Sequence, residues 1–244
     1  MTSKMPLLQI TASRRIAKDV YETVLTGDTG AITRPGQFVQ IRIPGFYLRR
    51  PISVCDVAGD KLIIIYKILG KGTAALAKLP VGESVELLSG LGNGFMVDDV
   101  YEKPLIVGGG VGTPPLFGLA KKIIEKGFTP DVVLGFASKD DVFYEEEFRT
   151  LGLDVYVTTN DGSYGTQGFV TDKMKDLDYD YVFTCGPMPM LKAVHGVSTD
   201  GQFSFEERMG CGFGACMCCT CESKYGPKRI CKDGPILFRE EIVW

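Results

Sequence analysis

The sequence predicts an α+β multidomain chain: an N-terminal antiparallel β-barrel, an α/β parallel-sheet nucleotide domain, and a small C-terminal cysteine-rich unit. Three observations predict it. The first hundred residues carry short apolar runs punctuated by Gly, Pro and Asp. From Pro104 onward a strand enters a glycine-rich turn, and strand and helix signals then alternate. Six of the eight cysteines fall between positions 211 and 231. A chain of 244 residues accommodates two ordinary domains and an appendage, drawn here as 1–100, 101–203 and 204–244.

In the first part Val20–Leu25, Phe38–Ile43, Ile52–Val57, Leu62–Ile68 and Ser84–Leu88 read as strands, and many short strands at this spacing favour a closed barrel. Within it, Leu48-Arg49-Arg50-Pro51-Ile52-Ser53 sets two arginines before a rigid proline and a strand. An arginine fork suits a phosphate; a solvated charge patch is the plain alternative.

In the second part Pro104–Val107 is a short buried strand running into Gly108-Gly109-Gly110-Val111-Gly112-Thr113. Pro114 and Pro115 then open a helix carried by Leu116–Lys126, where prolines are tolerated because first-turn amides lack helical partners. Glycines in such a turn let the backbone approach a pyrophosphate, whose charge the helix N-terminus favours. The dinucleotide fingerprint is imperfect, since Thr113 stands where its last glycine would be. Val132–Phe136, Asp154–Thr158 and Tyr181–Thr184 are further strands, with helices around Glu145–Leu151 and Gly168–Lys175. A second turn, Cys185-Gly186-Pro187-Met188-Pro189-Met190, follows the strand at Tyr181. Ligands of open α/β sheets sit at the carboxyl ends of strands, so the two turns together indicate a nucleotide site. Thr159-Asn160-Asp161-Gly162-Ser163-Tyr164-Gly165 offers polar groups for ribose or phosphate, or forms a surface turn.

In the third part Cys211, Cys216, Cys219 and Cys231 read C-x4-C-x2-C-x11-C, the spacing that wraps a [2Fe–2S] cluster in plant-type ferredoxins. Gly212 and Gly214 let backbone amides curl toward the cluster sulfurs. Such a centre moves one electron at a time, which makes the chain an electron carrier. Zinc and a disulfide framework are the alternative readings of the six cysteines. Cys218 and Cys221 form another C-x2-C pair that can exchange with a neighbouring ligand or simply pack as small apolar groups.

Composition excludes other classes. A net charge of −3 leaves no basic stripe for nucleic acid. The longest uncharged apolar stretch, Pro104 to Ala120, is broken by five glycines and three prolines, so no membrane span is expected. Reduced cysteines without an export signal lead us to expect a cytoplasmic protein. His195 is the only histidine and has no base partner in view, so no catalytic side chain is assigned. Trp244 is expected to dock on its own domain.

The combination of the Leu48–Ser53 motif, Gly108–Gly112, Asp161–Gly165, Cys185–Pro187, Glu207–Cys216 and Cys231-Lys232-Asp233-Gly234-Pro235 resembles the ferredoxin-reductase superfamily. More narrowly, it resembles the electron-transfer subunits of NAD-dependent dihydroorotate dehydrogenase B, enzymes of pyrimidine biosynthesis. The resemblance covers essentially the whole chain. It implies FAD, a [2Fe–2S] cluster and NAD(H) as cofactors. Arg50, Pro51, Ile52 and Ser53 match the family's flavin motif, with Arg50 on the FAD pyrophosphate and Ser53 near flavin N5. Ile65, Tyr66 and Lys67 match a second flavin segment, and Gly72 and Thr73 a third, at a helix start. Gly108, Gly109, Gly110, Gly112, Thr113, Asp161, Gly162, Cys185, Gly186 and Pro187 would hold the nicotinamide dinucleotide, and Cys211, Cys216, Cys219 and Cys231 the cluster. The extra Cys218 departs from the commoner family pattern.

The resemblance further implies a separate FMN-containing catalytic subunit, in a heterotetramer of two of each, that oxidises dihydroorotate. Electrons then pass through the cluster and FAD to NAD+, and this chain alone is not expected to oxidise dihydroorotate. Two rivals remain: an NAD(P)H:ferredoxin-type oxidoreductase subunit on the same scaffold, and a zinc-binding interaction module. NAD is preferred over NADP because Asp140 and Asp141 beside Lys139 would repel a 2′-phosphate.

Overall fold

Alternating inward and outward side chains close the N-terminal strands on themselves. In the computed structural model, which describes residues 5–97 and 101–244, six strands form a closed antiparallel barrel in the order β1-β2-β5-β4-β3-β6. They are β1 (Leu7–Ala17), β2 (Val20–Thr26), β3 (Phe38–Ile41), β4 (Arg50–Ala58), β5 (Lys61–Lys67) and β6 (Ser84–Leu91). Leu62, Ile64 and Tyr66 of β5 fill the barrel beside Leu8, Val39, Ile41 and Leu87. Their neighbours Ile63 and Ile65 turn outward into the core of the next domain. A short helix, α1 (Lys71–Leu76), follows β5 and drops Leu76 into the barrel interior. The border expected after residue 100 adjoins residues outside the described set.

The second domain is a seven-stranded sheet. Its parallel strands are β7 (Pro104–Gly109), β8 (Asp131–Phe136), β9 (Val155–Thr159), β10 (Thr166–Gln167), β11 (Tyr181–Cys185) and β12 (Gly201–Ser204). Its helices are α2 (Pro114–Glu125), α3 (Glu145–Thr150), α4 (Val170–Met174) and α5 (Met188–Val197). A ribbon of β13 (Thr220–Cys221) and β14 (Lys228–Arg229) belongs to the cysteine segment. That segment then returns β15 (Ile236–Phe238) antiparallel to β12, at the sheet edge. The strand order is β10-β9-β8-β7-β11-β12-β15.

Both faces of this sheet are covered, which is why its strands read as continuous apolar runs. Ile106 of β7 lies in one core with Leu116, Leu119 and Ile123 of α2 and Phe148 of α3. Leu105 and Val107 lie in another with Val170 and Met174 of α4 and Leu191 and Val194 of α5. Fully burying each of these large side chains contributes roughly 1.5–3 kcal/mol. The second core also takes in Phe38 and Leu88 from the barrel and Cys219, Ile230 and Cys231 from the cysteine segment. That shared core joins the cysteine segment to both domains.

Barrel and sheet are tied by polar contacts as well. Lys121 of α2 donates to both carboxylate oxygens of Asp56 on β4, at 2.9 and 2.7 Å. The Tyr144 hydroxyl donates to Glu22 of β2 at 2.8 Å, from a residue whose φ of 66° is left-handed. Trp244 docks on its own chain as expected, stacked at 5.7 Å on Phe205 and edge-on to His195 at 5.6 Å. No helix among the described residues is long and apolar enough to cross a membrane.

Several elements depart from the sequence reading. Strand β1 has only Leu8 and Ile10 fully buried, and polar residues from Gln9 to Arg15 interrupt its apolar ones, so it carries no long apolar run. Helix α5 was read as a turn, but Pro187 and Pro189 flank its first residue without breaking it, because first-turn amides lack helical partners. Strands β12 and β15 span only four and three residues and gain their order from pairing.

Candidate functional site

The chain runs β7, β8, β9 toward one side of the sheet, then crosses to β11 and β12 on the other. The order therefore reverses between β7 and β11, and their carboxyl ends frame the crevice where open α/β sheets bind ligands. Here the two glycine turns meet. A Cβ on Gly112 would collide with the Cys185 carbonyl oxygen, and one on Gly109 with the Met190 sulfur and, at 3.0 Å, Pro187 Cδ. Only glycine allows the two turns to close on each other. Residues Gly110–Gly112 form a single 3-10 turn that leads into α2.

This crevice is one wall of a cleft of about 1270 Å³ between sheet and barrel, large enough for dinucleotide-sized ligands. The cleft brings together Arg50, Pro51, Ile52 and Ser53 of β4, Ile65, Tyr66 and Lys67 of β5, and Gly72 and Thr73 of α1. It adds Gly109, Gly110 and Gly112 from the first turn and Cys185, Gly186 and Pro187 from the second. Segments more than a hundred residues apart thus line one space.

The two arginines of the barrel motif separate in role. Arg49 is ion-paired with Glu86, whose carboxyl is held below its ordinary range by that hydrogen bond. Arg50 forms no ion pair among the described residues. Its guanidinium lies 5.0 Å over the Phe46 ring and against Gly72 at the start of α1, where any Cβ would strike it. A cation held by a ring and a helix start, with no carboxylate, fits a phosphate group. Tyr66 is buried and hydrogen-bonded to Thr23 at 3.4 Å, and burial raises its hydroxyl pKa. Lys67 reaches across the cleft to Asp141 at 3.4 Å. The Thr73 hydroxyl is engaged within its own turn, accepting from Leu69 N at 3.1 Å and donating to Gly70 O at 3.2 Å.

Four expected dinucleotide residues do not line the cleft. Gly108 and Thr113 are packed into the sheet-helix junction, with the Thr113 hydroxyl 3.0 Å from where a Gly108 Cβ would stand. Asp161 spends its carboxylate on its own turn, accepting from Ser163 N at 3.0 Å and Ser163 Oγ at 2.7 Å. Gly162 serves the same turn, at φ 72°. Their neighbour Asn160 does line the cleft, as do Asp141, Met190 and Met209, and Phe46 and Phe169, which carry no sequence signal, join them. Cys185 is partly exposed as a residue, and burial of its thiol pushes the pKa up to about 12 against a hydrogen bond with Ser204.

Met209 leads from the cleft directly into the cysteine loop. There the backbone aims N–H groups at sulfur. Ala215 N donates to Cys211 Sγ at 3.2 Å, Cys216 N to the same sulfur at 3.4 Å, and Cys211 N to Cys216 Sγ at 3.4 Å. Gly214 N donates to Cys231 Sγ at 3.1 Å and Cys231 N to Cys219 Sγ at 3.4 Å. Burial alone would raise the Cys211 thiol, but the amides of Cys216, Phe213 and Ala215 outweigh it and lower its pKa. Burial and then the adjoining Cys219 sulfur raise Cys231. A bound cation would be needed to hold Cys231 as a thiolate there.

The donors fall into two pairs, Cys211 with Cys216 and Cys219 with Cys231. Among the described residues no three His, Cys, Asp or Glu side chains gather as the donors of one metal ion would. Two pairs bridged by the Gly214 amide fit a two-iron centre, with two thiolates for each iron, better than a single zinc. Cys218 is exposed, and Cys221 packs on the same core as Cys219.

Comparisons with known proteins agree with this geometry. Residues 206–243 match the model of the iron-sulfur cluster binding domain of dihydroorotate dehydrogenase B, and residues 106–196 that of the oxidoreductase NAD-binding domain. A dihydroorotate dehydrogenase B (NAD(+)) electron transfer subunit from Bacillus mycoides (strain KBAB4) is 44% identical, over 94% of this chain and 95% of the relative. The one from Shouchella clausii (strain KSM-K16) is 42% identical over 100% of both chains. Among solved structures, the NADH-dependent reduced ferredoxin-NADP oxidoreductase superposes with a TM-score of 0.90 at 30% identity, covering 97% of this chain and 90% of that one. Phthalate dioxygenase reductase shares the fold, with a TM-score of 0.68 at 18% identity over 90% and 87% of the two chains.

Proposed function

The chain belongs to the family of dihydroorotate dehydrogenase B electron transfer subunits, and from that membership we propose that it conveys electrons from a dihydroorotate-oxidising, FMN-containing partner subunit to NAD+. The single observation that carries the reading is the cleft itself. The strand bearing Arg50, a guanidinium with no ion pair among the described residues, faces the two glycine turns, and the cysteine loop leaves from its rim. The working units are the barrel (1–100) for FAD, the sheet (101–203) for NAD(H) and the cysteine segment (204–244) for a [2Fe–2S] cluster. When bound, FAD exchanges a hydride with NAD(H) and single electrons with the cluster.

The protein's own residues bind and orient. Arg50, over Phe46 and against α1, would hold the FAD pyrophosphate, and Ser53 would offer its hydroxyl to the flavin ring. Gly109, Gly110, Gly112, Gly186 and Pro187 would let the NAD(H) backbone lie directly on the strand ends. Cys211, Cys216, Cys219 and Cys231 would ligate the irons, with the loop amides stabilising the added charge of the reduced state. No side chain is assigned as acid or base: the residues position the carriers, and the one proton that must join two electrons from the cluster to make a hydride would be drawn from solvent. Thiolate ligation of iron also favours a reducing, cytoplasmic setting, and the proposed assembly with the partner, two of each subunit, rests on the family resemblance alone.

The test is an anaerobic absorption spectrum followed by titration with NADH, with and without the dihydroorotate-oxidising subunit. Flavin bands and a broad iron–sulfur shoulder that both bleach with NADH are expected. Dihydroorotate should reduce NAD+ only when both subunits are present. A colourless, zinc-containing chain that ignores NADH would overturn the reading. The high structural likeness to the ferredoxin-NADP oxidoreductase favours a second reading, which a preference for ferredoxin over the FMN subunit would support.

A further inference from the structure

Among the described residues three glutamines are essentially buried: Gln37, Gln40 and Gln202. Two of them are fully used. Gln37 accepts from Thr33 N at 2.8 Å and Arg34 N at 3.1 Å and donates to Gly92 O at 3.0 Å. Gln202 accepts from Met96 N at 2.8 Å and donates to Met96 O at 2.7 Å. Gln40 is different. It is 1% exposed, and its Nε2 has no hydrogen-bond partner within the protein. A buried amide donor left unpaired is costly, so native folds supply it with an acceptor.

The position of Gln40 says where the acceptor lies. On β3 it stands opposite Pro51 of the flavin-motif strand and Leu88 of β6. Val39 and Ile41 point into the barrel, so Gln40, like Phe38, points out of it. Phe38 and Leu88 lie in the core that also holds Cys219 and Cys231. The Gln40 amide abuts Gly212, the residue after Cys211: a Cβ there would stand 2.5 Å from Nε2. Gly212 has φ 81°, so glycine is required both for the turn and for the approach of this amide.

We propose that Gln40 donates its Nε2 hydrogen bond to a sulfur of the iron–sulfur centre at Cys211–Gly212. Gln40 is then a positioning residue contributed by the barrel, and it would tune the centre from the β3 side. The inference rests on the cluster assignment above. Donors to sulfur stabilise the more negative, reduced state, so this amide raises the reduction potential.

The test uses the holoprotein with Gln40→Leu and Gln40→Met, which remove the donor while keeping bulk, in an EPR-monitored redox titration. Cluster content is read from absorption beforehand. The expected result is unchanged content, a midpoint shifted to more negative potential, and altered g-values in both variants. In wild-type protein labelled with 15N in the glutamine side-chain amide, pulsed EPR of the dithionite-reduced centre should show a 15N coupling. That second readout needs no variant to fold. A loaded wild type with no such coupling, or loaded variants with unshifted midpoints, overturns the proposal alone. A wild type without any iron–sulfur signal overturns both it and the ligand assignment.

Discussion

The cleft and the cysteine loop hold their ligands by opposite strategies. The loop is local: its first three sulfurs lie within nine residues, the amides that serve Cys211 and Cys216 come from the same turn, and only Cys219 is served from further on, by Cys231 N. The cleft is assembled from β4, β5, α1 and the ends of β7 and β11, and none of these segments makes a site by itself. A local site stands or falls with its own side chains. An assembled site depends on backbones being able to approach, which is why glycines rather than donors dominate its wall at the ends of β7 and β11. Gln40 and the shared core around Phe38 and Cys219 are where the two strategies touch.

The largest effect should come from breaking the loop. Cys219→Ser removes a buried sulfur that accepts from Cys231 N. It should abolish the iron–sulfur absorption and EPR signal while flavin content stays near one per chain. Cys218→Ser, at an exposed position on the same loop, should leave both intact. A retained signal in the first variant, or a lost one in the second, would transfer a ligand role to Cys218.

Breaking the cleft should be graded rather than absolute. Arg50→Ala removes a guanidinium that lies against the α1 start with no ion pair among the described residues, and should weaken FAD binding by about 1.5–3 kcal/mol, roughly 10- to 150-fold. Fluorescence titration of the deflavinated protein measures it, and the cluster signal should not change. Gly112→Ala pushes a methyl group into the Cys185 carbonyl. Overpacking of this kind costs about 1–3 kcal/mol, so the KM for NADH should rise about tenfold with FAD content preserved. Equal effects of Gly112→Ala on FAD and NADH would mean that the turns position the barrel rather than the nucleotide.

What was legible in the sequence follows the same division. The cysteine spacing carries its chemistry in a single short motif, and the strand–glycine turn–helix pattern at Pro104 is equally local. Both turns at the switch point were therefore readable. Residue type and spacing do not separate Arg49 from Arg50, and only the resemblance singles out Arg50, because the sorting partner, Glu86, comes from a distant strand. The turn at Asp161 reads equally as a ribose or phosphate site and as a surface turn, because the composition is the same either way; in the structure its carboxylate accepts from Ser163. Helix α5 was hidden by prolines that its first turn accommodates. Strand β15 has order only through pairing with β12, and Asn93 ties that segment to the barrel by accepting from Ile236 N at 3.0 Å and donating to Ile236 O at 2.8 Å. No periodicity announces a contact across 143 positions.

The smallest effect expected is a reaction that should not occur, and it compares sulfur with sulfur. In the loop, amide donors pull the Cys211 thiol toward thiolate. In the cleft, burial holds the Cys185 thiol protonated, with a pKa pushed up to about 12. At pH 8 only ~10⁻⁴ of such a thiol is ionised, and the thiolate is the nucleophile. Iodoacetamide at pH 8 should therefore modify the exposed Cys218 and leave Cys185 untouched in the folded holoprotein, as read by peptide mass spectrometry. The same shift fixes a sign for stability. An unfolded thiol begins to lose its proton near pH 8.5 while the folded one keeps it, so above that pH the unfolded state binds fewer protons and stability falls until about pH 12. Cys55, buried where β4 meets α2, is raised still further by burial and acts in the same direction. Cys185→Ala should flatten part of that alkaline decline. Rapid labelling of Cys185 at pH 8 would mean that the cleft floor is open to solvent, and that the contrast between an enclosed cleft sulfur and an amide-ringed loop sulfur does not hold.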